Sequence, residues 1–159
     1  MVAALRGSIC GRILLVSRRV GVQQAALVTV YSTGNVFTDV EAFNRKLAPN
    51  QVREKPEWRE QEVMDLRWKL IDEEVNIELK EAFEKGDLVA LVDAALDSIY
   101  VISGLLTAVG VKCSPILAAV HRANMDKEGG PMRGDGKVLK PEGWKHPDIA
   151  AYLEYQSNG

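Results

Sequence analysis

Two aspartates, Asp93 and Asp97, interrupt the otherwise apolar stretch LVDAALDSIYV, residues 91–101. Four residues is about one helical turn, so both carboxylates leave the same face of a helix. Like charges at that spacing repel, and a carboxylate on an apolar face is costly to bury without a positive partner. The stretch before it, LIDEEVNIELKEAFEKGD (70–87), adds more acid. At about 100° per residue, Glu74, Glu78 and Glu81 fall within about 60° of one another on a helix. Glu73 lies on an adjacent face, and Ile71, Val75, Leu79 and Ala82 form a neighbouring apolar stripe. The turn at Gly86-Asp87 is short, so the two helices pack antiparallel and Glu74 and Glu78 face Asp93 and Asp97. Carboxylates gathered in this way cannot all stay ionised without cations. Their hard oxygen atoms suit Mg2+ or Mn2+, which would be the missing positive partner. Two plainer arrangements compete. A Glu-rich helix is often a solvated face, and one aspartate could pair with Arg67 or Lys69, or face water.

A second group of residues has the opposite charge. In HRANMDK (121–127), Asn124 and Lys127 are three apart and share a helix face. The tail PMRGDGKVLKPEGWKHPD then brings Arg133, Lys137, Lys140 and Lys145 ahead of His146. Acids that bind metal, set against amide and basic groups, suit a polyphosphate: metal bridges phosphate oxygens while Lys and Arg neutralise the rest. The plainer reading of the tail is a solvated basic loop. His121 has no Ser or Cys nucleophile beside it and reads as structural. Trp144 and Tyr100 could stack on a base, but packing is the better account of each.

The elements that must hold these groups are helical. A short helix is expected over 39–47, capped by Thr38 or Asp39. Ala48–Pro56, with two prolines, reads as a loop. From Glu57 to Lys85 there is neither Gly nor Pro, which predicts one long helix ended by Gly86. Asp87 caps the next, which runs to Val109 and stops at Gly110. Pro115 suits the first turn of a third helix, reaching Lys127, and 148–155 forms a last short one. ALVTVYS (26–32) has β-branched residues but no partner strand. The fold class is therefore all-α, a helical bundle joined by short loops.

At 159 residues, the chain is long enough for one domain with a sizeable core. A hydrophobic share of 47% and a charged share of 26% exclude global disorder. A net charge of −2 carries no nucleic-acid signal. Cys10 and Cys113 make neither a disulfide framework nor a CxxC zinc pair, so a reduced setting is expected. The apolar run from Leu88 to Leu106 could span a bilayer by length, but Asp93 and Asp97 are expensive in lipid, and no membrane partner is expected. Charge is also uneven along the chain. Residues 1–38 hold Arg6, Arg12, Arg18 and Arg19 and no acid, the pattern of a mitochondrial presequence, with cleavage near Tyr31–Ser32 and a matrix location. The competing account is a simple N-terminal extension on a cytoplasmic protein. Of the 20 basic residues these four are lost with the leader, so residues 39–159 carry 16 basic against 22 acidic residues, a net −6.

RWKLIDEEVN, GDLVALVDAALDSIYVISG, VHRANMDK and DGKVLKPEGWKHPDI occur in the order found in the MazG-like all-α nucleoside triphosphate pyrophosphohydrolases. From Asp39 to Ile149 the chain resembles that group, and in particular its phosphoribosyl-ATP pyrophosphohydrolase-like branch. The resemblance implies a helical bundle that assembles as a dimer or tetramer. It also implies Mg2+-dependent hydrolysis of (deoxy)nucleoside triphosphates to the monophosphate and pyrophosphate. It makes Glu73, Glu74 and Asp97 metal ligands and Asn124 and Lys127 phosphate contacts; joined to the residue reading above, the candidate ligands are Glu73, Glu74, Glu78, Asp93 and Asp97, Glu74 orients water, and Asn124, Lys127, Arg133 and Lys137 bind substrate. Two positions depart from the pattern. The family's third glutamate would fall on Ile77, and the acid stands one residue later at Glu78; an inserted residue in a π-bulge would restore it. Ala94 occupies the place of one later acid, so Asp97 is the safer ligand. Alternatives are a non-catalytic helical interaction module and a phosphoribosyl-ATP pyrophosphohydrolase of histidine synthesis.

Overall fold

The computed structural model describes residues 32–159. The four leader arginines, Cys10 and all but Ser32 of ALVTVYS lie outside the described residues. The described unit, Ser32–Gly159, is helical. Its elements are α1 (Val36–Leu47), a 3-10 turn (Pro49–Gln51), α2 (Gln61–Ile71), a π-helical segment (Asp72–Leu79), α3 (Lys80–Lys85), α4 (Leu88–Ala108), α5 (Cys113–Met125) and α6 (Ile149–Asn158). The described residues contain no strand; a single antiparallel bridge joins Met132 to Val138. The all-α bundle expected from the sequence is what the structure has.

Helix α1 starts earlier than expected because Asn35 caps it, accepting from the backbone N–H groups of Phe37 and Thr38. Asp39, one of the expected caps, turns back instead and accepts from Ser32 Oγ (2.6 Å), Thr33 N (2.8 Å) and Thr33 Oγ1 (2.7 Å). Those bonds, led by the Ser32 hydroxyl, hold its carboxyl below the ordinary aspartate range. Residues 32–38 are thus part of the folded unit.

α2, the π-segment and α3 run end to end as the expected long helix, but it begins at Gln61 rather than Glu57. Residues 57–60 are held extended by tertiary bonds. Glu57 N–H donates to Val109 O (3.1 Å), and the buried Arg59 donates to Ala108 O (3.0 Å), Gln51 O (3.1 Å) and Asn50 O (3.2 Å). A guanidinium at the carbonyl end of α4 satisfies an orphan carbonyl and complements the helix dipole. That outweighs the weak helical propensity of four residues.

The helix pair is closed as expected by Gly86. At φ 66° it places its N–H on Phe83 O (3.2 Å) and Asp87 N–H on Ala82 O (3.1 Å), a Schellman turn. Asp87 then caps α4 through Val89 and Ala90 N–H. At the other end of α4, Gly110 has φ 74°, and an added Cβ would come within 2.2 Å of Lys55 O, so both conformation and space demand glycine.

The packing of α4 is inverted in size. Its buried positions are small or polar: Ala94, Ser98, Ser103, Gly104, Thr107 and Ala108. Its large side chains Leu88, Val89, Val92, Leu96, Ile99 and Ile102 are exposed. The small face lets α1, α2 and the π-segment approach closely. Arg67 uses that space: it is 6% exposed, lies against Gly104, and donates to Asn44 Oδ1 at 3.2 Å. α4 is also long and apolar enough to cross a membrane by length and composition.

α5 begins at Cys113, two residues before Pro115, which sits in the first turn where it removes no helix bond. α6 is tied back through Gln156, whose side chain bonds both the N–H and the carbonyl of Lys112 (2.8 and 3.0 Å).

Candidate active site

The acidic residues sit on the helix pair around Gly86. A π-turn holds one more residue than an α-turn and so rotates everything after it relative to what precedes it. The π-segment spans Glu73, Glu74, Ile77 and Glu78. Ile77, which occupies the family's third-glutamate position by count, is 48% exposed, while Glu78 acts electrostatically on Glu74. The irregular helix expected from the Ile77 departure is present.

Glu74 is the centre of the group. Its carboxyl is pushed up to about 7, first by burial and then by the charges of Glu78, Asp97, Glu73 and Asp93. The other four acids singled out in the sequence are therefore near enough to act on Glu74. Glu74 Oε2 is buried and accepts no hydrogen bond. A buried acceptor without a donor is costly and calls for a cation or a proton. Arg67, a counter-ion considered above for the aspartates, donates one N–H to Asn44 Oδ1, keeps its buried Nε unpartnered, and makes no ion pair with a described residue. Glu81 turns outward to Lys85 (2.7 Å).

The cluster is gathered but not closed. Among the described residues, no three Asp, Glu, His or Cys side chains already share the spacing of ligands to one ion. The donor chemistry, all carboxylate oxygen with one buried orphan, fits a hard divalent cation. The ligand spacing would need rotamer changes in exposed Glu73, Glu78 and Asp93.

The basic residues stand on a different part of the chain. The helix expected to reach Lys127 ends at Met125, so Lys127 stands in the turn after it, where its Nζ still donates to Asn124 Oδ1 at 2.7 Å. They line a cleft of about 440 Å³ with Met125, Glu128, Gly129, Gly130, Met132 and Val138. Beyond it the tail is more ordered than its composition suggests. Residues 131–139 form a small hairpin: Arg133 N–H donates to Lys137 O, Leu139 N–H to Pro131 O, and Gly136 (φ 87°) closes the turn. Arg133 is paired with Asp135 (2.9 and 2.5 Å), which also accepts from Lys137 N–H. Asn124, Lys127, Arg133 and Lys137 form no ion pair with the acids of the helix pair.

Sequence reasoning passed over two arrangements. One is buried Arg59 and Arg67, whose burial no periodicity signals. The other is the grouping of Lys140, Trp144 and His146, for which the dense KPEGWKHP run was the available sign. Trp144 Nε1 donates to Ala123 O at 2.6 Å, pinning this run to α5.

The family model of phosphoribosyl-ATP pyrophosphohydrolase matches residues 40–124, more than half of the chain. The chain belongs to the phosphoribosyl-ATP pyrophosphohydrolase family. That phosphoribosyl-ATP pyrophosphohydrolase match, within the MazG-like all-α superfamily, takes in the five acids and Asn124 and ends before Lys127, Arg133 and Lys137. A phosphoribosyl-ATP pyrophosphohydrolase domain supports pyrophosphohydrolase activity on a nucleotide-like substrate. No curated protein matches the chain.

Proposed function

We propose that the protein hydrolyses a (deoxy)nucleoside triphosphate to the monophosphate and pyrophosphate. The observation that carries this reading is Glu74: a half-buried carboxyl at the convergence of four other acids, with an affinity for protons near neutral pH. Glu73, Glu74, Glu78, Asp93 and Asp97 would hold Mg2+, or Mn2+, which supplies positive charge for the phosphate oxygens. Glu74 orients a water and takes its proton as the oxygen attacks the α-phosphorus. The bond from that phosphorus to the bridging oxygen breaks, and pyrophosphate leaves with the electron pair. A base whose pKa lies near the working pH suits this task. Lys127 and Asn124, with Arg133 and Lys137, neutralise charge developing on the leaving group.

A second reading has its own support. The matching family is described by phosphoribosyl-ATP, so that nucleotide is the competing substrate. Pyrophosphate release from full-length protein, measured over a panel of nucleoside triphosphates and phosphoribosyl-ATP with and without Mg2+, tests both. Metal-dependent turnover of a common triphosphate is expected. Turnover of phosphoribosyl-ATP alone would move the protein to histidine synthesis, and turnover of nothing would make it an interaction module.

Assembly and location complete the proposal. The exposed apolar stripe of α4 supports a homodimer or homotetramer, because isolated soluble chains rarely leave so much contiguous apolar surface uncovered. Light scattering on the purified chain should give twice or four times the 17.5 kDa chain mass. The arginine-bearing, acid-free leader supports a mitochondrial matrix location and a house-cleaning role on nucleotide pools. Loss of the leader on import into isolated mitochondria would test it.

A further inference from the structure

We infer that Lys140 and His146, held around Trp144 together with Lys127, form the subsite for the substrate's terminal diphosphate. This rests on the reading of the protein as a triphosphate pyrophosphohydrolase, and it assigns a role to residues outside the family match.

The cluster is built on one indole ring. Lys140 Nζ lies 4.3 Å from the ring centre of Trp144 and Lys127 Nζ 5.7 Å from it. The His146 ring meets the indole edge-on at 4.5 Å between centres. Lys140 Nζ is 2.9 Å from His146 Nε2, so the ammonium donates and the neutral imidazole accepts. The ring itself cannot drift, because its N–H is bonded to Ala123 O in the last turns of α5.

Nothing acidic satisfies these cations. Lys127 and Lys140 form no ion pair among the described residues, although Asp126, Glu128 and Glu142 are near in sequence. The contrast with Arg133 is direct: Asp135 already occupies its guanidinium. Lys140 and His146 have the indole and each other as partners, and Lys127 adds only the neutral Asn124 Oδ1, so no group of opposite charge answers either ammonium. An anion with several strong acceptor oxygens is the missing component. The distances to the shared ring centre place the two ammonium groups no more than 10 Å apart. The outer oxygens of a diphosphate, with a hydrogen bond at each end, cover that span. Lys127 also lines the adjoining cleft, so a diphosphate bound here leaves the rest of a nucleotide room along Asn124 and Gly129-Gly130.

Inorganic pyrophosphate is the probe, titrated without metal into the full chain and followed by calorimetry and by the indole N–H resonance of Trp144. Saturable binding that shifts this resonance is expected. Lys140→Met should weaken it by about ten-fold or more, as loss of a charge-assisted bond does. His146→Gln should weaken it less, and Lys140→Arg should retain it. Lys145→Met removes the same charge from the same exposed segment, outside the cluster, and should leave affinity unchanged. Pyrophosphate should also compete with the nucleoside triphosphate in turnover. Equal weakening by Lys145→Met and Lys140→Met would reduce the effect to diffuse charge and overturn the subsite. Binding without competition would place the anion elsewhere than on the substrate's phosphates and overturn it as well. Pyrophosphate binding through Lys140 in a protein that hydrolyses no nucleotide would sink the proposed activity and leave the subsite standing. Turnover with unchanged KM and unchanged pyrophosphate affinity in Lys140→Met would do the reverse.

Discussion

The acidic helix pair and the basic segment after α5 solve opposite electrostatic problems by different means. On the helix pair, like charges are forced together by regular backbone: the π-segment and α4 set the positions, and the carboxylates must tolerate one another. The cost appears on Glu74, whose carboxyl is pushed up to about 7 by burial first and by the four neighbouring charges after it. In the basic segment no long element imposes positions. Short-range bonds do so instead: Trp144 to Ala123 O, Arg133 to Asp135, and the turn at Gly136. Cations there spread over ring faces and side-chain acceptors rather than pressing on each other. A rigid frame can store repulsion that a ligand later relieves; a loop relaxes it in advance. Metal-binding groups therefore belong on the first, and groups that close on a variable substrate on the second.

Removing one acid should separate the two regions most sharply. Asp97→Asn is expected to lower kcat by at least about a hundred-fold, since in the proposed mechanism it removes a metal ligand whose effect is felt mainly in the transition state. The apo fold should survive, which circular dichroism would check. An unfolded variant would make Asp97 a structural partner and the acids a packing device. In the basic region, Lys127→Ala should cost about ten-fold in kcat/KM, through both binding and turnover, because it acts from the helix-proximal face beside Asn124. Steady-state kinetics at saturating metal would show it. An unchanged value would detach the whole segment from the chemistry.

The third test concerns pH. Glu74 has a folded pKa raised above its unfolded value, so its protonated form favours the fold. That contribution is complete below the unfolded value of 4.5 and is lost as pH rises to about 7. Glu74→Gln should therefore stabilise the metal-free protein by about 1–2 kcal/mol at pH 8 and by little at pH 5. Mg2+ should raise the melting temperature of the wild type at pH 8 by mass action, and much less in this variant. A variant that is equally stabilised at both pH values would mean that repulsion is not what strains the site.

Smaller effects probe the details. Arg133→Ala should raise KM only about two- to three-fold, because its guanidinium must first leave Asp135 to reach a phosphate. A loss as large as that of Lys127→Ala would show that the pair opens freely. Deleting Ile77 should shift stability by no more than about 1 kcal/mol, because the deletion takes out the extra residue of the π-turn and leaves the flanking helix in register. Mg2+ stabilisation should persist. Its disappearance would show that the wide turn itself, rather than the presence of Glu78, arranges the acids.

Much of this was legible in the residues alone. Helix type followed from the run free of Gly and Pro at 57–85 and the one Asp87 caps up to Val109, and their ends from Gly86 and Gly110, because glycine is the residue that accepts a positive φ at a helix end. Glu74, Glu78, Asp93 and Asp97 could be grouped because a short turn between two periodic helices fixes their relative register, and Glu73 joined them through the family resemblance. Even the irregular turn could be expected, since an acid displaced by one residue to Glu78 needs an extra residue in the backbone.

What periodicity could not supply was any feature held by partners distant in sequence. Residues 57–60 have helical composition, yet Arg59 pulls them extended because its guanidinium finds carbonyls at Asn50, Gln51 and Ala108. Arg67 is buried because Gly104 leaves room beside it on another helix. Lys140 and His146 read as solvated tail, and Trp144 only as a packing residue, until the Ala123 carbonyl anchors the ring. Local pattern encodes what backbone geometry repeats every turn. Burial and pairing are set by whichever surfaces the chain brings together, and only the folded structure decides those.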